Sequence, residues 1–231
     1  MIMQLLRRLI FRRPVRTLSS VEAYARWAEA YPPYAHNALM EAEQTAMMAL
    51  LPPLTGRVVL DLGCGTGRYG LLAQARGAAQ VIAVDNSAAM LQAARIDGRI
   101  QASSEAMPLR GASVDVILCG LALGHLPQLE PSMNEISRVL RSGGTALISD
   151  FHPALALAGM RRTFTTGDGR AFAVKHHTHL YADYHRAARR AGLSVEDVLE
   201  PCLTGDRSVA DGTGHESPAG PVVIVYRLRK K

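Results

Sequence analysis

Short hydrophobic runs and helix-favouring stretches alternate along the middle of the chain. Hydrophobic runs of strand length occupy residues 57–62, 81–85, 100–103, 114–121 and 145–151. Stretches whose apolar spacing favours helix lie between them, at residues 68–76, 87–97 and 128–140. Because strands that alternate with helices form βαβ units, this region predicts a parallel sheet with right-handed crossovers.

The flanking segments follow other patterns. Ser19 and Glu22 fit a capping box that begins a helix reaching Ala30, and Pro32 follows it. A second helix is predicted at residues 38–51. The pattern changes again after residue 152, where we predict a hairpin with strands at 161–166 and 170–176, a helix at 181–191, a strand at 194–200, a glycine-rich loop at 205–220 and a last strand at 221–228.

Composition narrows the class of protein. A chain of 231 residues predicts one substantial domain, and 48% hydrophobic with 20% charged residues excludes a largely disordered chain. No apolar run approaches the length of a membrane span. The three cysteines, Cys64, Cys119 and Cys202, form no CxxC pair, which excludes a disulfide scaffold or zinc finger and predicts a reduced, cytoplasmic protein.

The formal net charge of +6 is concentrated at the two ends of the chain. Residues 1–21 hold five arginines and no acid, and the last ten residues hold four basic side chains, so the remaining body is slightly acidic. This distribution does not favour a nucleic-acid groove. We expect no nucleic-acid partner and no stable membrane insertion. Residues 1–14 carry arginines and apolar side chains, so weak contact of this segment with an anionic membrane surface stays open as an alternative to a solvated tail.

Glycines cluster where the first predicted strand meets the first helix. Asp61 is followed by Gly63, Gly65 and Gly67, and Asp85 ends the second strand 18 residues beyond Gly67. Glycines allow a tight turn and close approach of a ligand to the main chain. A carboxylate at the position of Asp85 accepts hydrogen bonds from ribose hydroxyls in nucleotide-binding folds.

The segment from Gly65 to Gly70 also matches the GxGxxG fingerprint of dinucleotide-binding enzymes. Asp61 argues against a dinucleotide, because its carboxylate would repel a pyrophosphate. The same carboxylate suits a ligand that carries an ammonium or sulfonium group.

Three motifs together resemble a known family. The sequences DLGCGTG at 61–67, VIAVDNS at 81–87 and VLRSGGTALISDF at 139–151 resemble class I S-adenosylmethionine-dependent methyltransferases of the UbiE/BioC-like, type 11 group. The resemblance covers residues 24–200. It implies an α/β, Rossmann-like, seven-stranded, mostly parallel sheet with an antiparallel last strand, a helical N-terminal cap and a hairpin insertion after the fifth strand.

The resemblance also divides the chain. A basic tail at residues 1–18 would precede one methyltransferase domain at 19–231. Within that domain we expect a helical cap at 19–54, a cofactor-binding core at 57–151, a substrate lid of hairpin and helix at 152–192 and C-terminal strands at 193–231.

The cofactor implied by the resemblance is S-adenosyl-L-methionine. Asp85 would hold its ribose, and Ser103 stands where the family usually has an aspartate that contacts the adenine. The complete set of expected cofactor-binding residues is Tyr31, Asp61, Gly63, Cys64, Gly65, Gly67, Asp85, Asn86, Met90, Ser103, Ser104 and Cys119.

Acceptor-side candidates come from the cap and from the exits of later strands. His152 or His125 would be the proton acceptor, if the reaction needs one, because both follow strand ends where open α/β sheets bind ligands. The expected substrate-contacting residues are Tyr24, Tyr34, His36, His177 and His179. His177 and His179 also share a strand face, but no carboxylate or cysteine stands at ligand spacing, so no metal is predicted.

The leading functional hypothesis is methyl transfer to a small-molecule acceptor by a monomer or homodimer. A second hypothesis is a carboxyl O-methyltransferase that acts on a carrier-bound acyl group, with Arg161, Arg162 or Arg170 at the pocket mouth facing an acidic carrier. An NAD-binding oxidoreductase and a non-catalytic cofactor-binding module are two further hypotheses, each from a different functional class.

Overall fold

The computed structural model of the protein describes residues 15–203 and 220–231. The helices are α1 (Ser20–Trp27), α2 (Ala38–Ala49), α3 (Arg68–Ala75), α4 (Ala88–Ala93), α5 (Glu130–Val139), α6 (Pro153–Leu157) and α7 (Tyr181–Arg190). The strands are β1 (Arg16–Leu18), β2 (Val58–Leu62), β3 (Gln80–Asp85), β4 (Arg99–Gln101), β5 (Val114–Gly120), β6 (Leu140–Phe151), β7 (Thr163–Thr165), β8 (Ala171–Val174), β9 (Leu193–Leu199) and β10 (Val223–Lys230).

Seven strands form the main sheet in the order β4-β3-β2-β5-β6-β10-β9. β2, β3, β4, β5 and β6 pair in parallel, whereas β10 is antiparallel to both β6 and β9. The predicted seven-stranded, mostly parallel sheet with an antiparallel last strand is therefore confirmed. The order reverses at β2, so the carboxyl ends of β2, β3 and β5 open into one crevice, where α/β sheets bind ligands.

Helices cover both faces of this sheet because its strands are apolar on both sides. In β2, Val59 packs in the core beneath α2, α3 and α4, while Leu60 packs in the core beneath α5 and α7. Strands that bury both faces read as continuous hydrophobic runs, which explains why they were recognisable from the sequence.

A second, three-stranded sheet lies over the first and has the order β1-β8-β7. β7 and β8 form the predicted antiparallel hairpin. β1 pairs in parallel with β8, Arg16 opposite Phe172, although residues 16–18 were expected to belong to a basic tail. Leu18 is buried with Phe164 and Val174 in a small core of this sheet, which anchors the segment.

One expected boundary differs from the observed one. β6 begins at Leu140 rather than after the glycine turn at 142–144, and its register against β5 shifts between Val114 and Val116. α6 was not predicted. The expected membrane contact of residues 1–14 and residues 205–219 of the glycine-rich loop lie outside the described residues. Within residues 15–203 and 220–231 there is no helix with the length and apolar character needed to span a bilayer.

Candidate functional site

The glycine turn after β2 forms the centre of a cleft at the carboxyl edge of the sheet. Gly63 and Gly65 have φ angles of +66° and +53°, a region that favours glycine. A Cβ atom on Gly63 would lie 2.5 Å from the Cβ of Ala122, so a side chain there has no room. The amides of Gly63 and Cys64 both donate to the carbonyl of Val84, which ties the turn to β3.

Asp85 holds the turn from the neighbouring strand. Its Oδ2 accepts from the amide of Gly65 at 2.8 Å, and its Oδ1 accepts from the amide of Ser87 at 2.8 Å. Burial raises the pKa of this carboxyl above its usual range. A carboxylate has about four lone-pair sites, so both oxygens retain acceptor capacity toward the cleft that Asp85 lines.

Asp61 lies deeper in the same cleft and is only 1% exposed. Its Oδ2 accepts from the amide of Gly70 at 2.7 Å. Burial raises the pKa of Asp61 to about 7, although the hydrogen bond from Gly70 and the nearby Arg68 act in the opposite direction. The cleft therefore contains an acid that gains its full charge only when a cation binds or the pH rises.

A tyrosine and a histidine form the far wall of the cleft. Nδ1 of His125 lies 3.0 Å from the carbonyl of Lys175, which can only accept, so Nδ1 carries the proton. Nε2 is then an acceptor for the hydroxyl of Tyr24, 3.0 Å away. Burial, followed by the charge of Arg162, lowers the pKa of His125 to about 3, so its ring is neutral at physiological pH.

The cleft holds about 970 Å³ of empty space, which includes open solvent at its mouth and lies within the range of small-molecule sites.

Comparison with known proteins shows which family of proteins this part of the chain is similar to. A family model described as a methyltransferase domain matches residues 60–148. These residues run from β2 to β6 and include the glycine turn, Asp61 and Asp85. Over residues 60–148 the chain is therefore similar to the methyltransferase domain family.

Two curated relatives share about a third of their aligned residues with this chain. A malonyl-[acyl-carrier protein] O-methyltransferase of Enterobacter lignolyticus is 36% identical over 153 residues, covering 63% of this chain and 60% of that protein. A ubiquinone biosynthesis O-methyltransferase of Xylella fastidiosa is 32% identical over 164 residues, covering 63% of this chain and 64% of that protein. The match therefore spans less than two thirds of each relative.

A solved structure shares the fold. An S-adenosylmethionine-dependent methyltransferase from Mesorhizobium loti superposes with a TM-score of 0.65 at 23% identity, covering 82% of this chain and 98% of that chain. At this identity the likeness shows the class I methyltransferase fold, which agrees with the strand order described above.

Most of the residues expected to bind the cofactor line this cleft. They are Tyr31, Asp61, Gly63, Cys64, Gly65, Asp85, Asn86, Met90 and Ser104. Three others do not line it. Gly67 caps α3, Ser103 accepts through its hydroxyl from the amide of Glu105, and Cys119 is fully buried beneath Gly120, which lines the cleft in its place.

His152 does not line the cleft. Its Nδ1 accepts from the amide of Ala154 at 3.2 Å and caps α6, and its Nε2 lies 3.0 Å from Oε1 of Glu200 and 2.8 Å from the hydroxyl of Tyr181. With both ring nitrogens engaged there, this placement does not support the expected role of His152 as a proton acceptor.

Of the expected substrate-contacting residues, Tyr24 alone lines the cleft. The other four lie outside its lining for different reasons. Tyr34 is 62% exposed, and His36 contacts the rings of Trp27 and Tyr31. The backbone amide of His177 donates to the carbonyl of Gly124, and Nε2 of His179 lies 2.9 Å from the carbonyl of Leu126.

Among the described residues, no cluster of three or more His, Cys, Asp or Glu side chains has the arrangement of a metal site.

Sequence reasoning missed a buried ion pair beside the cleft. Glu43 of α2 is fully buried, and its Oε2 lies 2.7 Å from NH2 of Arg68, which lines the cleft. Oε1 of Glu43 accepts from the hydroxyls of Tyr69 at 2.7 Å and Ser149 at 2.5 Å. The signals that could have revealed it are the helical spacing of Glu43 from Met40 and Met47, and a positively charged residue directly after the glycine turn.

The three arginines expected at the mouth do not all lie in one place. Arg170 lies on the hairpin turn beside Asp168, and Arg161 donates to Thr17 and the carbonyl of Val15. Arg162 lines the cleft itself. Arg161 and Arg162 both line a second cavity next to the cleft, so two of the three arginines that the carrier hypothesis named as alternatives lie together.

Proposed function

We propose that this chain is an S-adenosylmethionine-dependent methyltransferase that acts on a small-molecule acceptor. The observation that carries the proposal is that the backbone amides of the glycine turn and of the first turn of α3 already donate to acceptors within the protein. The amide of Gly65 donates to Asp85, that of Gly70 to Asp61 and that of Gly67 to the carbonyl of Cys64. These groups are occupied by the protein's own acceptors.

That arrangement argues against an NAD-binding enzyme. A dinucleotide fingerprint binds pyrophosphate through free amides at a helix N-terminus. Here the amides already have acceptors within the protein, and the carboxylate of Asp61 next to the turn would repel a diphosphate. The same carboxylate attracts a nucleoside that carries an ammonium and a sulfonium.

The described residues fit this methyl donor. Asp85 retains lone pairs for the ribose hydroxyls, and Asn86 and Met90 line the part of the cleft next to it. Asp61 supplies negative charge for the cationic end, and Arg68 lines the same cleft as a cation for a carboxylate. When bound, the donor supplies an electrophilic methyl group. The protein's contribution is to align the acceptor and exclude water.

The names of the two curated relatives support oxygen as the atom that accepts the methyl group. One is named as an O-methyltransferase of malonyl-[acyl-carrier protein], and the other as an O-methyltransferase of ubiquinone biosynthesis. By this likeness we propose O-methylation here. The two names point to different acceptors, and the wall of the cleft bears on which class of acceptor fits here.

The direct test is a calorimetric titration of the protein with S-adenosylhomocysteine and, separately, with NAD. We expect saturable, micromolar-range binding of the first compound and no heat of binding from the second, because Asp61 repels a diphosphate. Binding of NAD without binding of S-adenosylhomocysteine would contradict the proposal.

The affinity for S-adenosylhomocysteine is expected to depend on pH through Asp61. The pKa of Asp61 is about 7 in the free protein, and the ligand's ammonium favours the ionised form. Affinity should therefore fall as the pH drops below 7, by up to about tenfold per pH unit, and level off above it. The measurement is calorimetry from acidic to mildly alkaline pH.

The matched control for that series is Asp61→Asn, which keeps the shape of the side chain and cannot ionise. Its affinity should be weaker at pH 8 and nearly flat with pH. A wild-type affinity that does not change with pH, or a variant that retains the wild-type slope, would show that Asp61 does not face the cation.

A further inference from the structure

A second cavity adjoins the cleft and has mostly apolar walls. Trp27, Met40 and Phe151 line it, together with Leu39 and Val174. The two cavities meet at four residues that line both of them, namely Tyr24, Tyr31, Leu121 and Arg162. Tyr24 and Arg162 therefore stand between the two cavities and face both of them.

Arg162 is half-buried at this junction and is only partly satisfied. Its NH1 donates to the carbonyl of Leu121 at 3.0 Å, and its NH2 donates to the hydroxyl of Tyr24 at 3.3 Å. A guanidinium has five N–H donors, so capacity for a further acceptor remains. Among residues 15–203 and 220–231, no carboxylate lies within ion-pair distance of Arg162.

Asp150 is a nearby acid, but its oxygens are already engaged. Oδ1 lies 3.2 Å from Nε2 of His176 and accepts from the amide of Phe151 at 2.8 Å, while Oδ2 accepts from the hydroxyl of Tyr184 at 2.7 Å. Arg162 is thus a positive charge at a cavity junction without a carboxylate of its own. Guanidinium groups bind carboxylates through two parallel hydrogen bonds, so this position suits an anionic ligand.

The groups beside Arg162 do not offer a strong base. Nε2 of His125 already accepts from Tyr24, and the pKa of His125, about 3, makes the ring a weak proton acceptor. Burial raises the pKa of Tyr24, so the phenol stays protonated. A hydroxyl acceptor needs a base to remove its proton, whereas a carboxylic acid is already ionised at neutral pH.

We propose that Arg162 binds the carboxylate of the methyl acceptor, an amphipathic carboxylic acid whose apolar body lies in the second cavity, and that this carboxylate oxygen receives the methyl group. The inference rests on the proposed function and adds the class of acceptor. The oxygen forms the bond to the methyl carbon while the carbon–sulfur bond breaks, and its electron pair stays on sulfur. The negative and positive charges cancel, so no proton is transferred.

Binding can be measured without turnover because Trp27 is the single tryptophan of the chain and lines the second cavity. The titration adds butanoate, octanoate or dodecanoate, each compared with its neutral amide, to protein saturated with S-adenosylhomocysteine. We expect a saturable change in tryptophan fluorescence with the carboxylates, and binding of the matched amides that is at least about tenfold weaker.

Variants separate the role of Arg162 from general effects of charge. Arg162→Gln should weaken carboxylate binding by about tenfold to a hundredfold. Arg162→Lys should weaken it less, because lysine keeps the positive charge but cannot form the two parallel hydrogen bonds of a guanidinium. Arg170→Gln removes a positive charge from the exposed hairpin turn and should bind as wild type does. A circular dichroism spectrum of Arg162→Gln that matches the wild type shows that the variant is folded.

Equal binding of amide and carboxylate, unchanged binding by Arg162→Gln, or no response to any carboxylate would overturn the inference. If S-adenosylhomocysteine binds in those cases, the proposed function still stands; if it does not bind, the failure lies with the proposed function.

The transfer itself has a chemical signature. With a labelled methyl donor, a methyl ester formed from one of these carboxylates releases its label as volatile methanol in mild base. Label that resists base, or no label from any carboxylate, would contradict carboxylate methylation.

Discussion

Replacing Glu43 by glutamine is expected to lower the free energy of unfolding by about 3–5 kcal/mol, the usual cost of leaving one charge of a buried pair uncompensated. The guanidinium of Arg68 is 9% exposed and would lose its carboxylate partner. The hydroxyls of Tyr69 and Ser149 would lose their acceptor or meet an amide group in its place. Urea unfolding followed by circular dichroism measures the loss.

Two controls make this result specific to the buried pair. Glu29→Gln removes an exposed acid from the same N-terminal region and should change the stability by less than about 0.5 kcal/mol. The double variant Glu43→Met with Arg68→Met removes both charges and should be less destabilised than Glu43→Gln alone. A loss below about 1 kcal/mol in the single variant would show that water or rearrangement compensates Arg68.

Replacing Asp85 by alanine is expected to weaken the binding of S-adenosylhomocysteine by about tenfold to a hundredfold, the effect of losing a hydrogen bond to a charged group. The substitution also frees the amides of Gly65 and Ser87, which Asp85 holds at 2.8 Å, so the turn loses part of its support. Calorimetric titration of the variant and the wild type measures the change.

Asp97→Ala is the matched control, because Asp97 is exposed on the loop before β4 and does not line the cleft. It should bind S-adenosylhomocysteine with wild-type affinity. An Asp85→Ala protein that binds as tightly as wild type would contradict the assignment of this carboxylate to the ribose.

The sheet and its glycine turn could be predicted because their signals are local. Val59 and Leu60 belong to a short apolar run, and Gly63 and Gly65 follow where the backbone needs positive φ angles. The pairing of β1 with β8 could not be predicted in the same way, since nothing near Arg16 specifies Phe172 as its neighbour. Such contacts depend on how the hairpin folds back over the sheet.

The direction of single side chains in the site was harder to predict than the edge of the sheet on which they lie. His152 follows β6 at the expected edge, but its ring caps α6 and turns toward Glu200. Glu43 and Arg162 come from elements far from the glycine turn in the sequence. Their roles follow from how α2 and the hairpin pack on the cleft, which the local sequence does not reveal.

The central claim is that two carboxylates on either side of the glycine turn hold an S-adenosyl nucleoside. A crystal structure of the protein with S-adenosylhomocysteine tests this claim most directly. We predict the ribose hydroxyls within hydrogen-bonding distance of Asp85 and the amino group of the ligand on the side of Asp61. A nucleoside bound elsewhere, or a cleft that stays empty at saturating ligand, would contradict it.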